Sequence, residues 1–585
     1  MTAQTAESTQ LASARRSLAE RIRAELGPPP ALSYTPMVSA VVLNRDGRSH
    51  LEQLLEGLTR TTDYPAIELV VVDNGSDDDS VEFLRGADPP FPVKVAENEG
   101  NASFSEGCNQ GAELGSGDLL LFLNNDIELF EPGWLRELVG CLERSSAHAV
   151  GATLLHGETS AARIGAGSSW VLQHRGVNFG RQLGYVVPLN VADGDPLWPS
   201  VGSDRPSLGA TAACLLVDRS AFDSVAGFTV GFQYGWEDVD LGLKLISSGR
   251  SVVCSGRSFA FHDEGATRRA RERGFRRHNR AVNQRLFMRR WGPAVYRSYL
   301  LDRLTGGTLW SHDDKAHLGV VGDPADLDRL PVGGLATGLR DHGWRVTAVP
   351  AGEDEPPDDL DCALVVSAEC APPAESVVSV AWVGWPPAAW IDQGRLPSFE
   401  LVLAESPDIA QELEKRTGRE VIVLPPTAAD PAAELGELIR TRIEARRFFV
   451  RCAPADAQLA TAVQRALEAR GHLCPADLER EESDLVSLTA DVAIHMTGGL
   501  SPAPAQFNVL AWPRTDDRAV EAELDWYDLI VVPTEADAEQ LRRSTGTDLD
   551  VLPAAGGEAD RFAERVLQQA QAANLPLRLT REGFR

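Results

Sequence analysis

Hydrophobic runs alternate with amphipathic segments over the first part of the chain. Residues 37–44 (MVSAVVLN) and 67–73 (IELVVVD) are short runs rich in β-branched residues, and the segment between them (HLEQLLEGLTRT) has apolar residues at helical spacing. Two more runs follow at residues 93–97 and 118–124, again with a helix-like stretch between them. Such runs are typical of parallel strands that are buried on both faces. The pattern therefore predicts βαβ units in an α/β sheet of the nucleotide-binding type.

An internal repeat occupies the chain beyond about residue 300. Residues 400–428 (ELVLAESPDIAQELEKRTGREVIVLPPTA) recur in diverged form at 528–555 (DLIVVPTEADAEQLRRSTGTDLDVLPAA). Upstream segments match at nearby offsets, for example DCALVV with DVAIHM and LRDHGWRV with LEARGHL. Two copies of one Rossmann-like unit, at 317–430 and 447–556, account for this repeat.

The chain of 585 residues is too long for a single core, because domains cluster near roughly 100–200 residues. We predict an N-terminal surface helix and linker at 1–35, ended by GPPPALSYTP, and an α/β domain at 36–300. The two Rossmann-like copies follow, and a helical tail is predicted at 557–585.

Charge and cysteine usage exclude several classes of function. The formal net charge of −29 argues against general affinity for nucleic acid, because such binding depends on basic side chains that neutralise phosphates. The eight cysteines include no C-x-x-C pair, so we expect no zinc or redox motif and a reducing, cytoplasmic environment. We also expect neither a membrane span nor a signal peptide, because no run of about 18 apolar residues occurs.

Polar residues directly follow the predicted strands. They are Asn44, then DNGSDDDS from Asp73, NEGN from Asn98, and NND at 124–126. In open α/β sheets, ligands bind at the carboxyl ends of the strands. We therefore expect the chemistry of this domain at that edge.

Several motifs together resemble one known family. They are VVVDNGSDD, ENEGNASFSEGCNQGAELGSGDLLLFLNND, GATAACLLVDRSAF, GWEDVDLGLKL and NQRLFMRRWGP. Their order and spacing resemble glycosyltransferase family 2, inverting enzymes of the GT-A fold, and most closely its rhamnosyltransferase-like members. The resemblance covers about residues 37–300. It implies an α/β fold with an N-terminal GT-A domain, followed by two Rossmann-like units that resemble GT-B halves.

The resemblance implies a divalent cation, Mn²⁺ or Mg²⁺, held by Asp126 and His262. Asp126 matches the metal-binding aspartate of a D-x-D type motif, whose first position is Asn124 here. His262, in FAFHDEGATR, matches the downstream metal-coordinating histidine. A hard cation would stabilise the negative charge that grows on a departing diphosphate. Without this context, a strand-end aspartate is more often a turn former and a lone histidine more often a core residue.

The same resemblance assigns a group of residues to the nucleotide. Asp73 matches the aspartate that binds the base or ribose, and an acceptor at a strand end suits a ribose hydroxyl. The full set is Asn44, Asp73, Asn98, Gly100, Asn109 and Asn125.

Three acids, Glu237, Asp238 and Asp240, crowd at the start of a helical pattern. One interpretation is that they complement the helix N-terminus, where acids are favoured. Three acids exceed that need, and the resemblance assigns Asp238 as the general base that takes a proton from the acceptor hydroxyl. It assigns Glu237 to binding or orienting the acceptor, and leaves Asp240 as a capping or structural acid.

Aromatic residues before these acids, Tyr234 and Trp236, offer faces on which a sugar stacks. The family usually has Gly-Phe-Asp-Glu upstream, whereas this chain has Thr229 and Val230 in place of the two acids. This departure concerns the acceptor side and leaves the metal and base assignments intact.

Twelve arginines lie between residues 268 and 303, almost unopposed by acids. A solvated helix face explains most of them. The alternative is a basic patch that holds the donor diphosphate, or a polyprenyl-linked acceptor at the anionic inner face of the plasma membrane.

Each C-terminal copy resembles a GT-B half, through RLPVGGLATGLRDHGWRVTAV and ESPDIAQELEKRTGREVIVLP. The paired glutamates of an active GT-B site are not visible, so we expect a non-catalytic platform for acceptor binding or assembly. The favoured hypothesis is a metal-dependent inverting glycosyltransferase of bacterial envelope or exopolysaccharide synthesis. It would use a donor such as dTDP-rhamnose or a UDP-sugar and a glycan or polyprenyl-linked glycan acceptor. A bifunctional transferase and a silent sugar-binding scaffold stay open as alternatives, as does a homo-oligomer.

Overall fold

The computed structural model describes most of the chain. The described residues are 3–157, 170–182, 185–232, 235–263, 273–304, 315–351, 357, 360–371, 378–396, 399–444, 448–451, 457–468, 476–477, 491–495, 507–511, 529–532, 536, 539, 543, 551–553 and 559–572. They fall into two compact units, one drawn from Met1–Gly180 and Pro188–Phe287 and the other from Arg181–Val187 and Met288–Arg578.

Strands up to residue 262 build the sheets of the first part of the chain. They are β1 (Val38–Asn44), β2 (Ile67–Asp73), β3 (Val93–Glu97), β4 (Leu119–Asn124), β5 (Ile127–Glu128), β6 (Ala149–His156), β7 (Leu172–His174), β8 (Val177–Gln182), β9 (Tyr185–Asn190), β10 (Arg205–Ser207), β11 (Cys214–Asp218) and β12 (Val252–His262). The helices are α1 (Ala3–Leu26), α2 (Arg48–Thr61), α3 (Ser80–Gly86), α4 (Phe104–Leu114), α5 (Trp134–Ser145), α6 (Arg219–Ser224), α7 (Glu237–Ser247) and α8 (Arg273–Leu304).

The main sheet has ten strands and runs β10-β12-β6-β11-β4-β1-β2-β3, with β5 beside β12 and β7 beside β6. Strands β4, β1, β2 and β3 are mutually parallel, so the predicted α/β sheet is confirmed. Strand β11 is antiparallel to β4 and β6, which makes the sheet mixed. The register places Asn44 directly beside Asp73, so the polar residues of these two strand ends adjoin at one edge.

Helix α2 covers the sheet through one apolar stripe. Leu51, Leu54, Leu55 and Leu58 are buried, at the spacing that puts side chains on one helical face. They join the buried residues of β1, β2 and β4 in one hydrophobic core. The apolar spacing in the sequence therefore predicts both the helix and its buried face.

Helix α1 corrects the prediction of a surface helix. Leu18 and Ile22 are buried and pack in one cluster with Phe259 and Phe261 of β12. Arg23 forms ion pairs with the buried carboxylates of α5 and of the segment before it. Only a few apolar residues of α1 make this contact, and such a narrow stripe is hard to recognise in a largely polar segment.

The second unit contains two parallel sheets. Their strands are β13 (His317–Gly322), β14 (Arg345–Pro350), β15 (Cys362–Val365), β16 (Val378–Val383), β17 (Leu401–Ala404), β18 (Ile422–Val423), β19 (Phe448–Arg451), β20 (Ala476–Asp477), β21 (Val492–His495), β22 (Phe507–Ala511), β23 (Leu529–Val532) and β24 (Val551–Pro553). The helices described there are α9 (Pro324–Leu327), α10 (Leu330–Asp341), α11 (Ala388–Asp392), α12 (Pro407–Thr417), α13 (Pro431–Glu444), α14 (Ala457–Glu468) and α15 (Ala559–Ala572).

Both sheets of the second unit have the same strand order. The first runs β14-β13-β15-β16-β17-β18 and the second β20-β19-β21-β22-β23-β24, so each is ordered second, first, third, fourth, fifth and sixth along its own segment. Helix α15 packs on the second sheet, where Phe562 and Val566 are buried with Val463 and Leu467 of α14. The part of the predicted tail that is described is thus integrated in this core. The domain boundaries themselves stay a prediction.

Candidate functional site

The carboxyl ends of β1 and β2 form a connected polar cluster. The Asn44 amide donates to Asp73 at 2.9 Å, and the Asn125 amide donates to Asn44 Oδ1 at 3.0 Å. Ser76, which the sequence analysis missed, donates to Asp73 from its backbone N–H at 2.8 Å and from its hydroxyl at 2.6 Å. Three of the residues assigned to the nucleotide therefore lie together. Asp73 is almost fully buried and orients its neighbours.

Asn98 extends this cluster toward β3. Its amide donates to Asn74 at 2.9 Å and exchanges hydrogen bonds of 2.9 and 3.0 Å with Gln110. The glycine that permits this close packing is Gly75 rather than Gly100. Gly75 has φ +74°, and a Cβ placed there would lie 3.2 Å from the Asn98 carbonyl oxygen, whereas one on Gly100 would meet no atom within 4 Å.

Asn109 holds a loop instead of facing the strand ends. Its amide donates to the Phe228 carbonyl at 2.9 Å, and its carbonyl accepts the Phe228 N–H at 2.9 Å. The Phe228 ring packs edge-on against Phe104 and Phe122. Because both polar ends of the Asn109 amide are engaged by this backbone, its contribution is to fix the approach to α7.

Asp126 and His262 come together because β12 pairs with β5. The register places His262 beside Ile127, the residue after Asp126. His262 Nε2 lies 3.4 Å from Asp126 Oδ1 and 3.4 Å from the Asn124 amide nitrogen. Both side chains are about nine-tenths buried. The two residues assigned to the cation are therefore neighbours, although more than a hundred residues separate them.

This pair fits a divalent cation. A carboxylate oxygen and an imidazole nitrogen suit Mn²⁺, and two adjacent ligands at about 2.1 Å from one ion lie about 3 Å apart. Within the described residues, no group of three or more His, Cys, Asp or Glu side chains is placed to hold a metal. The protein would thus supply two ligands, and diphosphate oxygens and water would supply the others.

Helix α7 begins at Glu237 and carries all three acids of the motif in its first turn. Asp240 is fully buried and accepts a hydrogen bond of 2.6 Å from the Thr229 hydroxyl, and Lys244 Nζ lies 3.8 Å away. The role of Asp240 is therefore structural. The threonine that replaces the family's acid at position 229 is the residue that binds it.

The other two acids have different environments. Asp238 is partly exposed and accepts the backbone N–H groups of Val239 at 2.8 Å and Ala212 at 3.3 Å, while burial raises its pKa. Glu237 is 8% exposed, and its Oε2 has no hydrogen-bond partner among the residues that the structure describes. Burial, and then the charge of Asp238, raise the pKa of Glu237 to about 8. Burial thus favours the protonated form of Glu237, whereas Asp238 is the oriented and more accessible carboxyl group.

Trp236 precedes the acids with a left-handed backbone, φ +71°, which is unfavourable for a bulky side chain. Its ring packs edge-on against Phe287 at 5.2 Å, and Asn283 donates to the carbonyl of the preceding Gly235 at 2.8 Å. Backbone strain of this kind persists where the surroundings enforce it, which is common at binding sites. Tyr234, the other predicted acceptor residue, lies outside the described residues.

Strand β7 supplies two further residues that the sequence analysis missed. Gln173 hydrogen-bonds the imidazole Nδ1 of His262 at 2.8 Å. His174 Nε2 accepts the N–H of Thr211 at 3.0 Å, and the Thr211 side chain in turn bonds Asp238. His174 is fully buried, and burial lowers its pKa to about 4. The sequence feature that could have indicated these two residues is their position in the otherwise apolar run WVLQH.

Two members of the arginine stretch are buried rather than solvated. Arg297 pairs with Asp491 at 2.6 Å, and Arg303 pairs with Asp361 at 3.0 Å, all within the second unit. These two arginines therefore belong neither to a solvated face nor to a basic patch. Residues 268–272 lie outside the described part of the chain. In the described residues, no helix is long and apolar enough to cross a membrane.

Comparison with known proteins gives a family match within the first part of the chain. Residues 39–189 match the family model described as Glycosyl transferase family 2. The chain is 34% identical over 248 residues to the O-antigen biosynthesis protein RfbC of Myxococcus xanthus, covering 40% of this chain and 18% of that protein. It is 30% identical over 270 residues to an uncharacterized protein of Sinorhizobium fredii, covering 43% of this chain and 28% of that protein. The chain thus spans less than a third of either relative.

Among solved structures, the chain is similar to GalNAc-T7 with UDP, GalNAc and Mn²⁺. The identity is 16% and the TM-score 0.35, over 46% of this chain and 51% of that one. This similarity is too low to support an inference. The family match establishes a glycosyltransferase domain in the first unit and supports the GT-A prediction.

Proposed function

We propose that the protein is a metal-dependent inverting glycosyltransferase that moves a sugar from a nucleoside diphosphate donor to a glycan or lipid-linked glycan. The observation that carries the proposal is the buried pair of Asp126 and His262, 3.4 Å apart at the edge where the amides of β1 and β4 converge. A silent scaffold would have no need to retain such a pair of ligands together with the oriented carboxyl group of Asp238.

The reaction follows from the assigned residues. Asp238 takes the proton of the acceptor hydroxyl, whose oxygen attacks the anomeric carbon opposite the diphosphate. The new glycosidic bond forms as the bond to the diphosphate breaks, so the anomeric configuration inverts. A cation bound by Asp126 and His262 would neutralise the charge on the leaving group. Glu237, as a neutral acid, donates a hydrogen bond to a sugar hydroxyl and leaves Asp238 as the single base.

The strand-end cluster suits the nucleotide. The buried Asp73 carboxylate holds the Asn44 amide, and Asn44 in turn accepts from Asn125, so the strand ends form an ordered polar surface. dTDP-rhamnose or a UDP-sugar is our candidate donor, on the basis of the sequence motifs. The O-antigen function named for the Myxococcus relative supports a polysaccharide acceptor and a role in envelope or exopolysaccharide synthesis.

The two sheets of the second unit, which we compare to GT-B halves, would serve as a non-catalytic acceptor platform. Trp385 follows β16 at the carboxyl edge of the first of these sheets and is 77% exposed. An exposed indole is a face on which sugar rings stack. We place the protein in the cytoplasm, with peripheral contact at the inner membrane face through parts of 268–303 other than Arg297 and Arg303. A bifunctional enzyme is the alternative for this half.

A calorimetric screen tests the proposal. UDP-, GDP- and dTDP-sugars are titrated into the full chain with and without Mn²⁺, and into Asp126→Ala. The exposed Asp223→Ala is the matched control, because it removes an aspartate of the same unit on α6. We expect one donor class to bind only with Mn²⁺, and Asp126→Ala but not Asp223→Ala to abolish this binding. Binding of no donor to the wild type would favour the scaffold.

A further inference from the structure

The Gln173 side chain contacts His262 at two points. Its carbonyl oxygen lies 2.8 Å from the imidazole Nδ1, and its amide nitrogen donates to the His262 backbone carbonyl at 3.3 Å. Gln173 is 4% exposed and His262 is 8% exposed, so water has little access to replace either contact. Gln173 and His262 lie 89 residues apart in the sequence, so the contact is purely tertiary.

This double contact determines the orientation of the Gln173 amide. The His262 backbone carbonyl is an acceptor only, so the group facing it must be the amide NH₂. The amide oxygen therefore faces the ring, and an oxygen acceptor requires that Nδ1 carries the proton. In the tautomer whose single proton is on Nδ1, the Nε2 lone pair is available to a ligand.

The Nε2 atom is also the ring atom next to the proposed aspartate ligand. Nε2 is the ring atom that lies 3.4 Å from Asp126 Oδ1. Two acceptor atoms that face each other at this distance repel unless a cation or a proton lies between them. The tautomer set by Gln173 is thus the one that a metal-coordinating histidine requires.

We propose that Gln173 is the positioning residue for a divalent cation site at Asp126 and His262, which it orients through the His262 tautomer and ring angle. The inference rests on the proposed function and adds to it a residue that no sequence motif contains. Partners of this kind typically change metal affinity by about 10–100-fold when they are removed.

Three variants of the full chain test this role. Gln173→Met keeps the length and shape of the side chain and removes both contacts. Gln173→Glu keeps an oxygen acceptor for Nδ1–H. The matched control is Thr153→Val, which removes a buried hydrogen bond of 2.6 Å from β6 to the Ser255 carbonyl of β12 and does not involve the cation ligands.

The readout is the dissociation constant for Mn²⁺, measured in the presence of UDP from the electron paramagnetic resonance signal of free Mn²⁺. We expect Gln173→Met to weaken binding about 10–100-fold, Gln173→Glu to stay within about fivefold of wild type, and Thr153→Val to be unchanged. Thermal denaturation confirms that each variant is folded.

The outcomes separate this inference from the proposed function. If wild type binds Mn²⁺ and Asp126→Ala does not, but folded Gln173→Met binds like wild type, the positioning role is wrong and the cation site stands. Equal weakening by Gln173→Met and Thr153→Val would also overturn it, because the effect would then reflect general loosening. If wild type does not bind Mn²⁺, the cation site falls and this inference falls with it.

Discussion

The Thr229 hydroxyl donates a 2.6 Å hydrogen bond to the buried carboxylate of Asp240. This contact joins the loop before α7 to the first turn of the helix that carries Glu237 and Asp238. Thr229 stands at the first of the two positions where the motif resemblance leads us to expect acids. An acid at position 229 would face a second buried carboxylate.

The first prediction concerns this contact. Thr229→Asp should destabilise the protein by about 3 kcal/mol, because it replaces a donor with a like charge next to a buried acid. Val230→Asp is the matched control, because Val230 is 50% exposed, and it should stay within about 0.5 kcal/mol of wild type. Urea denaturation measures both. Equal stability of the two variants would show that the Asp240 contact is weak.

The second prediction concerns the base. Asp238→Asn should lower sugar transfer by about 10²–10⁴-fold and leave donor affinity unchanged, because the amide cannot accept a proton. Transfer is measured as nucleoside diphosphate release from the donor found by calorimetry, with envelope extract as acceptor. Asp223→Asn is the control and should retain activity. Full activity in Asp238→Asn would remove Asp238 from the role of base.

The third prediction concerns the pH dependence of stability. The folded-state pKa of Glu237 is raised from 4.5 to about 8, so the folded protein binds a proton that the unfolded chain releases in this window. The contribution of Glu237 to stability should therefore fall as pH rises from about 4.5 to 8, by up to about 1.4 kcal/mol per unit. Glu237→Gln stays neutral and should flatten this slope. Melting curves at several pH values in the two proteins test it, and parallel profiles would contradict it.

The buried His174 has the opposite effect on the pH dependence of stability. The effect of Glu237 is therefore measured as the difference between wild type and Glu237→Gln. Its pKa is lowered to about 4, and the unfolded chain therefore binds the extra proton between about pH 6.5 and 4. Stability from this residue is lost as pH falls through that window. Because His174 is present in both wild type and Glu237→Gln, its effect cancels in their difference.

The fourth prediction concerns the second unit. Asp361 and Asp491 each immediately precede the third strand of their sheet, and Arg303 and Arg297 of one helix pair with them. Arg297→Met should cost about 3–5 kcal/mol, because it removes the ion pair between two buried side chains and the partner charge stays buried.

The control for this pair is Arg416→Met, which breaks an exposed pair with Glu412. It should cost no more than about 0.5 kcal/mol. The denaturation midpoint of the second unit measures both variants. The double variant Arg297→Met with Asp491→Leu should recover much of the loss, because it removes the buried carboxylate together with its arginine partner.

The fifth prediction concerns the acceptor platform. Trp385→Ala should weaken binding of an envelope glycan about tenfold at unchanged stability, because the indole is exposed and makes little core contact. Tyr34→Ala, which removes an exposed aromatic side chain of the first unit, is the control. Glycan microarray or calorimetric titration provides the measurement. Equal binding by Trp385→Ala and wild type would argue against the platform at this edge.

Sequence patterns predicted the elements whose signals are local. The runs of β1, β2, β3 and β4 appear as strands within about one residue of their predicted bounds, and α2 buries the stripe that its spacing predicts. The polar strand ends at Asn44 and Asp73 also adjoin, because parallel strands in one βαβ unit end at the same edge.

Contacts between segments that are distant in the sequence could not be predicted from these local patterns. Asn109 was assigned to the nucleotide, yet its amide holds Phe228, 119 residues away. Helix α1 was predicted as a surface element, yet Leu18 and Ile22 are buried. In each case the side chain is compatible with several partners, and only packing selects one.

The sequence by itself therefore determined the α/β class of the first unit, the edge of the sheet that carries the polar residues, and the acids of α7. Periodicity and strand-end polarity express these features within short windows, where the backbone geometry is set by neighbouring residues. Tertiary structure alone decided which residue binds Asp240, which glycine lies against the Asn98 backbone, and that Gln173 contacts His262. Those roles depend on atoms brought within hydrogen-bond distance from separate elements, and burial decides the protonation and partner of each.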